Sequence, residues 1–438
     1  MKQILYEFAK KLPIVDYHNH LSVADIQENK RFLNITELWI TPDPYKHRAM
    51  RMCGVAEKFI TGDASAKDKF IKWCETIPKL IGNPLYKWSL MELETIFATT
   101  DFSEPAKLYD FCNEYLAKNE ITPSALLENF NVEFACPCAS ISDDLSAFQN
   151  NFVIAPSLRG DDIVSPTVEF VKKLECITEC EINSLNVFQN AICERLDSFK
   201  NVGCKFVDHA LDNGFAFYDD DGENTKRFES VLSGHCSEAD REKLTSYLLV
   251  FLGTEYAKRE FVMQLHIGAE RFTSTKLRET AGPAGGFAGI GNCVNVKALT
   301  RLLDTIDCAE YGLPKTVLFT LNPADNAVIS TLSGSYSKDG VSGLVTQGPA
   351  WWWCDHQKGI TDMLENTTVF SVLSNFIGMT TDSRSFLSFV RHDYFRRILC
   401  NWIAEKVDKE EFPNDLETMK SLVYKLCYEN AKNSIGGK

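Results

Sequence analysis

Eight short runs rich in apolar and β-branched residues punctuate this chain, and amphipathic stretches separate them. The runs are PIVDYHNH (13–20), VEFACPC (132–138), FVIAPSL (152–158), CKFVDHA (204–210), FVMQLHIG (261–268), KTVLFTL (315–321), GLVTQGPA (343–350) and FIGMTTD (376–382). Between them, segments such as SPTVEFVKKLECITEC and VKALTRLLDTID repeat their apolar residues at helical spacing. Strands that alternate with helices pair in parallel, because a parallel neighbour is reached only through a long crossover. Eight such units predict an α/β chain closed as a (β/α)8 TIM barrel. An open doubly wound sheet is the competing arrangement, but no G-x-G-x-x-G follows the first run.

The first connection is anomalous. From His20 to Asn131 no strand-like run occurs, and FIKWCETIPKLIG, LYKWSLMELETIF and PAKLYDFCNEYLAKN read as helices. The chain therefore divides into a barrel, 1–24 and 126–438 with closing C-terminal helices, and a helical insertion, 25–125. That insertion is expected to cap the barrel face where active sites gather. A content of 45% hydrophobic and 24% charged residues in 438 is ordinary for a large soluble core. The net charge of −14 argues against nucleic acid and anionic membrane as partners, since both demand a basic surface. An anionic small molecule is still allowed, provided arginines line its pocket. No leader-like N-terminus or membrane-length apolar run is visible. Fifteen scattered cysteines, an odd number, fit reduced thiols in a cytoplasm. Cys136 and Cys138 could bind a metal, but with no second cysteine pair at zinc-site spacing they read as a buried strand end. Self-association into a homo-oligomer is left open.

Polar residues collect at one end of the runs. In a strand, residues two apart share a face, so His18 and His20 project together. Asp208 and His209 close the fourth run, His266 the fifth, and Asp382, followed by Arg384, the eighth. Half of the chain's 8 histidines thus sit at expected strand ends. Two neutral imidazoles and a carboxylate form a borderline ligand set for a divalent cation, with positions left open. His18, His20 and Asp382 are accordingly the expected ligands of one ion per chain. His266 would be a further ligand or a substrate contact. The plainer alternatives make His209 and His266 hydrogen-bonded core residues and Asp382 the N-cap of a helix opened by TDSRSF.

Seven blocks, DYHNHLS, PYKHRAMRMCGV, CKFVDHALD, QLHIGAER, TLNPADN, GPAWWWCD and GMTTDSRSFLSFVRHDYFRRILCN, complete the picture. From residue 12 to about 405, the chain resembles the uronate (glucuronate) isomerases of the amidohydrolase superfamily in block content and order. The resemblance implies a barrel with a helical insertion after its first strand, and an aldose–ketose isomerisation. Its substrates would be D-glucuronate, giving D-fructuronate, and D-galacturonate, giving D-tagaturonate. It implies Zn2+, or another divalent metal, on His18, His20 and Asp382, and assigns catalysis to Asp382, Tyr45 and Arg384. The candidate substrate contacts are Arg159, His266, Arg271, Trp351, Asp208 and His209. A sugar acid is ionised at pH 7, so recognition of its carboxylate by Arg159 and Arg271 is expected. Moving a proton between C2 and C1 of a cis-enediol needs an acid–base group on one face and charge stabilisation at the oxygens. Asp382 or Tyr45 can carry the proton, and Arg384 can stabilise the charge.

Several positions depart from the family pattern. Pro44 stands where a histidine usually precedes the tyrosine, and His47 where a tryptophan usually follows. ACPCAS replaces a Thr-Thr-Asp-Asp-Pro strand end, and GPAGGFAGIG lacks the usual acidic residue. His47, two residues past Tyr45, would share its face if that segment were extended. The alternative functions are a metal-dependent hydrolase acting on a carboxylated substrate and a non-catalytic sugar-acid binder.

Overall fold

The computed structural model describes residues 1–149, 151 and 153–436. Its strands are β1 (Ile14–Asn19), β2 (Val132–Ser140), β3 (Ser157–Arg159), β4 (Phe206–Leu211), β5 (Val262–Ile267), β6 (Ala269–Glu270), β7 (Gly289–Ile290), β8 (Thr316–Thr320) and β9 (Val345–Gln347). Seven of them make one parallel sheet in the order β1-β2-β3-β4-β5-β8-β9, while β6 and β7 form a small antiparallel ribbon. Spatial order follows chain order, as right-handed β-helix-β units produce when they wind in one direction. β1 and β5 are buried at every position. That burial fits parallel strands covered on both faces, and explains their continuous rather than alternating apolar character.

The helices between strands form where the amphipathic pattern places them. Val296–Asp307 buries Leu299, Leu302, Leu303 and Ile306, which share one face at three- and four-residue spacing. Val168–Thr178 begins at Thr167, whose side chain accepts a hydrogen bond from the Phe170 N–H.

The eighth run does not become a strand. Residues 376–382 lack ladder pairing among the described residues, so the sheet has seven strands and not the expected eight. Gly378 (φ 104°) and Asp382 (φ 46°) take the backbone out of the extended region. The segment nevertheless lies against β1, held by side chains. Asp16 accepts from the Thr380 hydroxyl (2.8 Å), the Thr381 N–H (2.6 Å), the Thr381 hydroxyl (2.7 Å) and Asn19 Nδ2 (3.0 Å). His392 Nε2 lies 3.2 Å from the same carboxylate. Burial alone would raise the Asp16 pKa, but the His392 contact and the Thr381 donors outweigh it and hold the group below its ordinary value. Backbone bonds from Asp382 N–H to His18 O (3.1 Å) and from His20 N–H to Ser383 O (2.8 Å) complete the join. The third run also starts late: β3 begins at Ser157, Ile154 makes only an isolated bridge to Ala135, and Phe152 lies outside the described residues.

Between β1 and β2 the chain is helical, as expected, with Pro44–Met52, Ala66–Thr76, Pro84–Phe97 and Pro105–Lys118 its principal elements. Its aromatic residues Trp39, Phe70 and Trp73 belong to the same buried cluster as Leu158, Val207 and Leu265 of the sheet. The two parts therefore share a continuous core. No helix among the described residues is long and apolar enough to cross a membrane.

Candidate active site

His18 and His20 leave β1 on one face, and the 376–382 segment brings Asp382 to meet them. Asp382 Oδ1 lies 3.3 Å from His18 Nε2 and 3.0 Å from His20 Nε2. Its other oxygen accepts the indole N–H groups of Trp351 and Trp352, at 2.6 Å each. Burial would raise this carboxyl, but the imidazole hydrogen bonds prevail and hold it well below the usual carboxylate range. Its left-handed backbone, costly for a residue with a Cβ, aims the side chain inward. Asp382 does not cap a helix; Ser385 does, accepting from the Leu387 N–H.

β4 and β5 supply the next layer. Asp208 lies 3.9 Å from both His18 Nδ1 and His266 Nδ1, through different oxygens. Burial, with Cys138 adding to it, pushes the Asp208 carboxyl up to about 7. His266 stacks on Phe319 and packs against His18 and Trp351, and its buried Nε2 has no partner among the described residues.

His209 faces the opposite way. Adjacent strand residues alternate, so Asp208 turns inward while His209 packs outward against Gly160, its Nε2 2.9 Å from the Tyr256 hydroxyl. The expectation of a substrate contact is corrected: His209 is a core histidine.

Above this layer lies a cavity of about 340 Å³, lined by His20, Tyr45, Asp382, Trp352 and Trp353 together with Arg159, Arg271, Arg278 and Arg384. Four guanidinium groups in a chain of net charge −14 give this cavity a locally cationic lining. Arg159 is oriented by Asp161 (Nε to Oδ2, 3.0 Å), and Arg271 by both oxygens of Asp212 at 2.8 Å. Trp351 is not in the lining; it fixes Asp382 and packs on His266.

Tyr45 enters from the helix Pro44–Met52, whose N-cap Asp43 accepts from the Tyr45 and Lys46 N–H groups. Its buried hydroxyl has no hydrogen-bond partner among the described residues, and burial raises its pKa far above 10.0. Because the segment is helical, a step of two residues turns about 200°. His47 therefore does not share the face of Tyr45 and is absent from the cavity lining.

Among the described residues two groups bring their ligand atoms within 4.8 Å of one another, His18, His20 and Cys138, and His18, Asp208 and His266; Asp382 belongs to neither and meets the two imidazoles through Oδ1 at 3.3 Å and 3.0 Å. Imidazole, carboxylate and thiolate suit zinc and its neighbours, so the residues fit a divalent ion. The sequence reading set Cys138 aside as a strand end and did not single out Arg278. Only Cys138 carried a signal: it ends a strand beside β1, as His18 and His20 do.

The chain matches the glucuronate isomerase family model over residues 1–435. It is 38% identical over 449 aligned positions to a uronate isomerase of Caldanaerobacter subterraneus subsp. tengcongensis, covering 99% of this chain and 96% of that protein. It is 39% identical over 446 positions to a uronate isomerase of Bacillus licheniformis, covering 99% and 94%. Among solved structures, the uronate isomerase of Thermotoga maritima superposes with a TM-score of 0.91 at 30% identity, covering 99% of this chain and 97% of that one.

Proposed function

The chain belongs to the glucuronate isomerase family and is an aldose–ketose isomerase of hexuronates, and we propose that D-glucuronate and D-galacturonate both react in the arginine-lined cavity above Asp382. The observation that carries this reading is the meeting of Asp382, His18 and His20 beneath four arginines and one unpartnered tyrosine hydroxyl. The hydrolase alternative has no comparable support. His18, His20 and Asp382 would hold a divalent ion, zinc fitting the donor set, and a bound ion supplies Lewis-acid polarisation of substrate oxygens.

The residues divide the remaining work. Arg159 and Arg271, already oriented by aspartates, pair with the uronate carboxylate. Asp382 takes the C2 proton and returns it to C1 on the same face of the cis-enediol, while the Tyr45 hydroxyl relays the hydroxyl proton between O2 and O1. Arg384 neutralises the negative charge that develops on those oxygens. Trp352 and Trp353 exclude water and offer a flat wall to the sugar's CH groups. Residues 25–125 act as the cap that brings Tyr45 to this chemistry. The segment 376–382 serves as the eighth stave of the barrel. The fifteen cysteines, all unpaired, favour a cytoplasmic setting.

The test is incubation of the purified protein with D-glucuronate, D-galacturonate and the neutral aldose D-glucose, following ketose formation by NMR. Both uronates should convert, and glucose should not. Equal turnover of glucose, or inertness toward both uronates, would sink the reading.

A further inference from the structure

Cys138 lies on β2, the strand paired with β1, and its sulfur belongs to a cluster of potential metal-ligating atoms with His18 and His20. Sγ lies 3.7 Å from His18 Nδ1, 3.9 Å from His18 Nε2 and 3.9 Å from Asp208 Oδ1. All three distances are at the long limit for a thiol hydrogen bond, so the sulfur is near several donors and firmly bonded to none. A tetrahedral ion with Zn–S of about 2.3 Å and Zn–N of about 2.0–2.1 Å sets its sulfur and nitrogen ligands roughly 3.6 Å apart. The same geometry sets two nitrogen or oxygen ligands roughly 3.3 Å apart. The observed separations of 3.3 Å and 3.0 Å between Asp382 and the two imidazoles equal or fall slightly short of the second value, and the 3.9 Å between the sulfur and His18 Nε2 slightly exceeds the first.

We propose that Cys138 is a fourth protein ligand of the ion held by His18, His20 and Asp382. The inference rests on the metal assignment above and adds this chain's own residue to it. A thiolate beside the two imidazoles favours thiophilic ions such as Zn2+ and Co2+ over Mg2+ or Mn2+, and zinc's capacity for a fifth ligand keeps a position for a substrate oxygen. Binding releases the thiol proton to solvent, so the sulfur enters the shell as thiolate with no change in oxidation state. The ion would then be gripped from β1, β2 and the 376–382 segment together, tying the end of the sheet to its closing stretch.

The experiment uses the full-length protein, stripped with chelator and reloaded with one equivalent of Co2+. Wild type and Cys136→Ser should both show a near-ultraviolet sulfur-to-cobalt charge-transfer band. Cys138→Ser should take up cobalt without that band and surrender it to a competing chelator far more readily. Loss of outer-shell partners alone costs 10–100-fold in affinity, so loss of a ligand should cost about 100-fold or more. A fully loaded wild type without the band, or a Cys138→Ser protein that keeps it, overturns the role of Cys138 while leaving the histidines and Asp382 as ligands. Failure of wild type to bind cobalt overturns both. Should Cys138→Ser not fold, the wild-type spectrum still decides, with Cys138→Ala as the second variant.

Discussion

Tyr45 carries a polar atom that the fold leaves unused. A buried hydroxyl without a partner costs stability, so its retention points to work done on a ligand. Tyr45→Phe removes only that oxygen. Unfolding in urea should therefore be unchanged or slightly harder, while kcat on D-glucuronate falls about 10²–10⁴-fold. A variant with wild-type kcat would remove Tyr45 from the proton relay. At this scale the sequence was legible where side-chain type and strand period acted together, as with His18 and His20, whereas Asp382 reaches them from a segment without strand pairing. It was less legible where only tertiary placement decides. His209 and Asp208 are adjacent letters, and one side of a pleat separates a core histidine from a carboxylate facing the site. Cys138 was read as a strand end rather than a metal ligand because zinc-site spacing counts ligands along the chain, whereas the imidazoles near its sulfur come from another strand.

Pro44–Met52 is the element whose position matters most for chemistry, and it is anchored by buried charge. Lys46 Nζ lies 2.7 Å from Asp43 and 3.2 Å from Glu92, with all three side chains almost wholly buried. Burial raises the Glu92 carboxyl, with Lys46 opposing it. For Asp43 burial acts the same way, but Lys46 outweighs it and lowers the group. Gly286 packs so close that an added Cβ would meet the Pro44 carbonyl oxygen at 2.2 Å, so the cavity loop and this helix fit as a pair. Lys46→Met leaves two carboxylates facing each other without a cation. It should cost about 3–5 kcal/mol in denaturant unfolding, and Glu92→Gln added to it should recover part of that loss. A loss under about 1 kcal/mol would show that the cluster does not anchor the helix. Such anchoring was invisible in the sequence, which does not show that Lys46 and Glu92, 46 positions apart, meet in the core. The insertion's helices Ala66–Thr76, Pro84–Phe97 and Pro105–Lys118 were legible from their apolar spacing, whereas Pro44–Met52 was not. The eighth strand was misjudged because FIGMTTD has strand composition, while Gly378 and the Asp16 side-chain network replace the ladder.

Across the whole molecule, histidines kept neutral inside the fold add to the acid sensitivity that low-titrating buried carboxylates such as Asp16 and Asp161 also confer. His209 is pushed down to about 4, chiefly by burial, with Asp161 opposing and Arg159 adding to the effect. His47 and His392 are lowered as well, again with burial as the largest cause. An unfolded chain titrates these groups near 6.5. Between about pH 6.5 and 4, the unfolded chain therefore binds a proton at position 209 that the folded chain refuses. Stability falls as pH drops through that window, is unaffected by this group above it, and levels off below it. A shift from 6.5 to about 4 corresponds to roughly 3 kcal/mol across the window. His209→Gln keeps a polar partner for the Tyr256 hydroxyl but cannot titrate. Urea unfolding of wild type and variant, measured from pH 7 to 4, should give a shallower loss for the variant, the two curves converging as pH falls. Every other titrating group is common to both chains, so the difference isolates position 209. Parallel curves across the window would mean that His209 gains its proton without unfolding, and that its buried contact with Tyr256 does not hold it neutral.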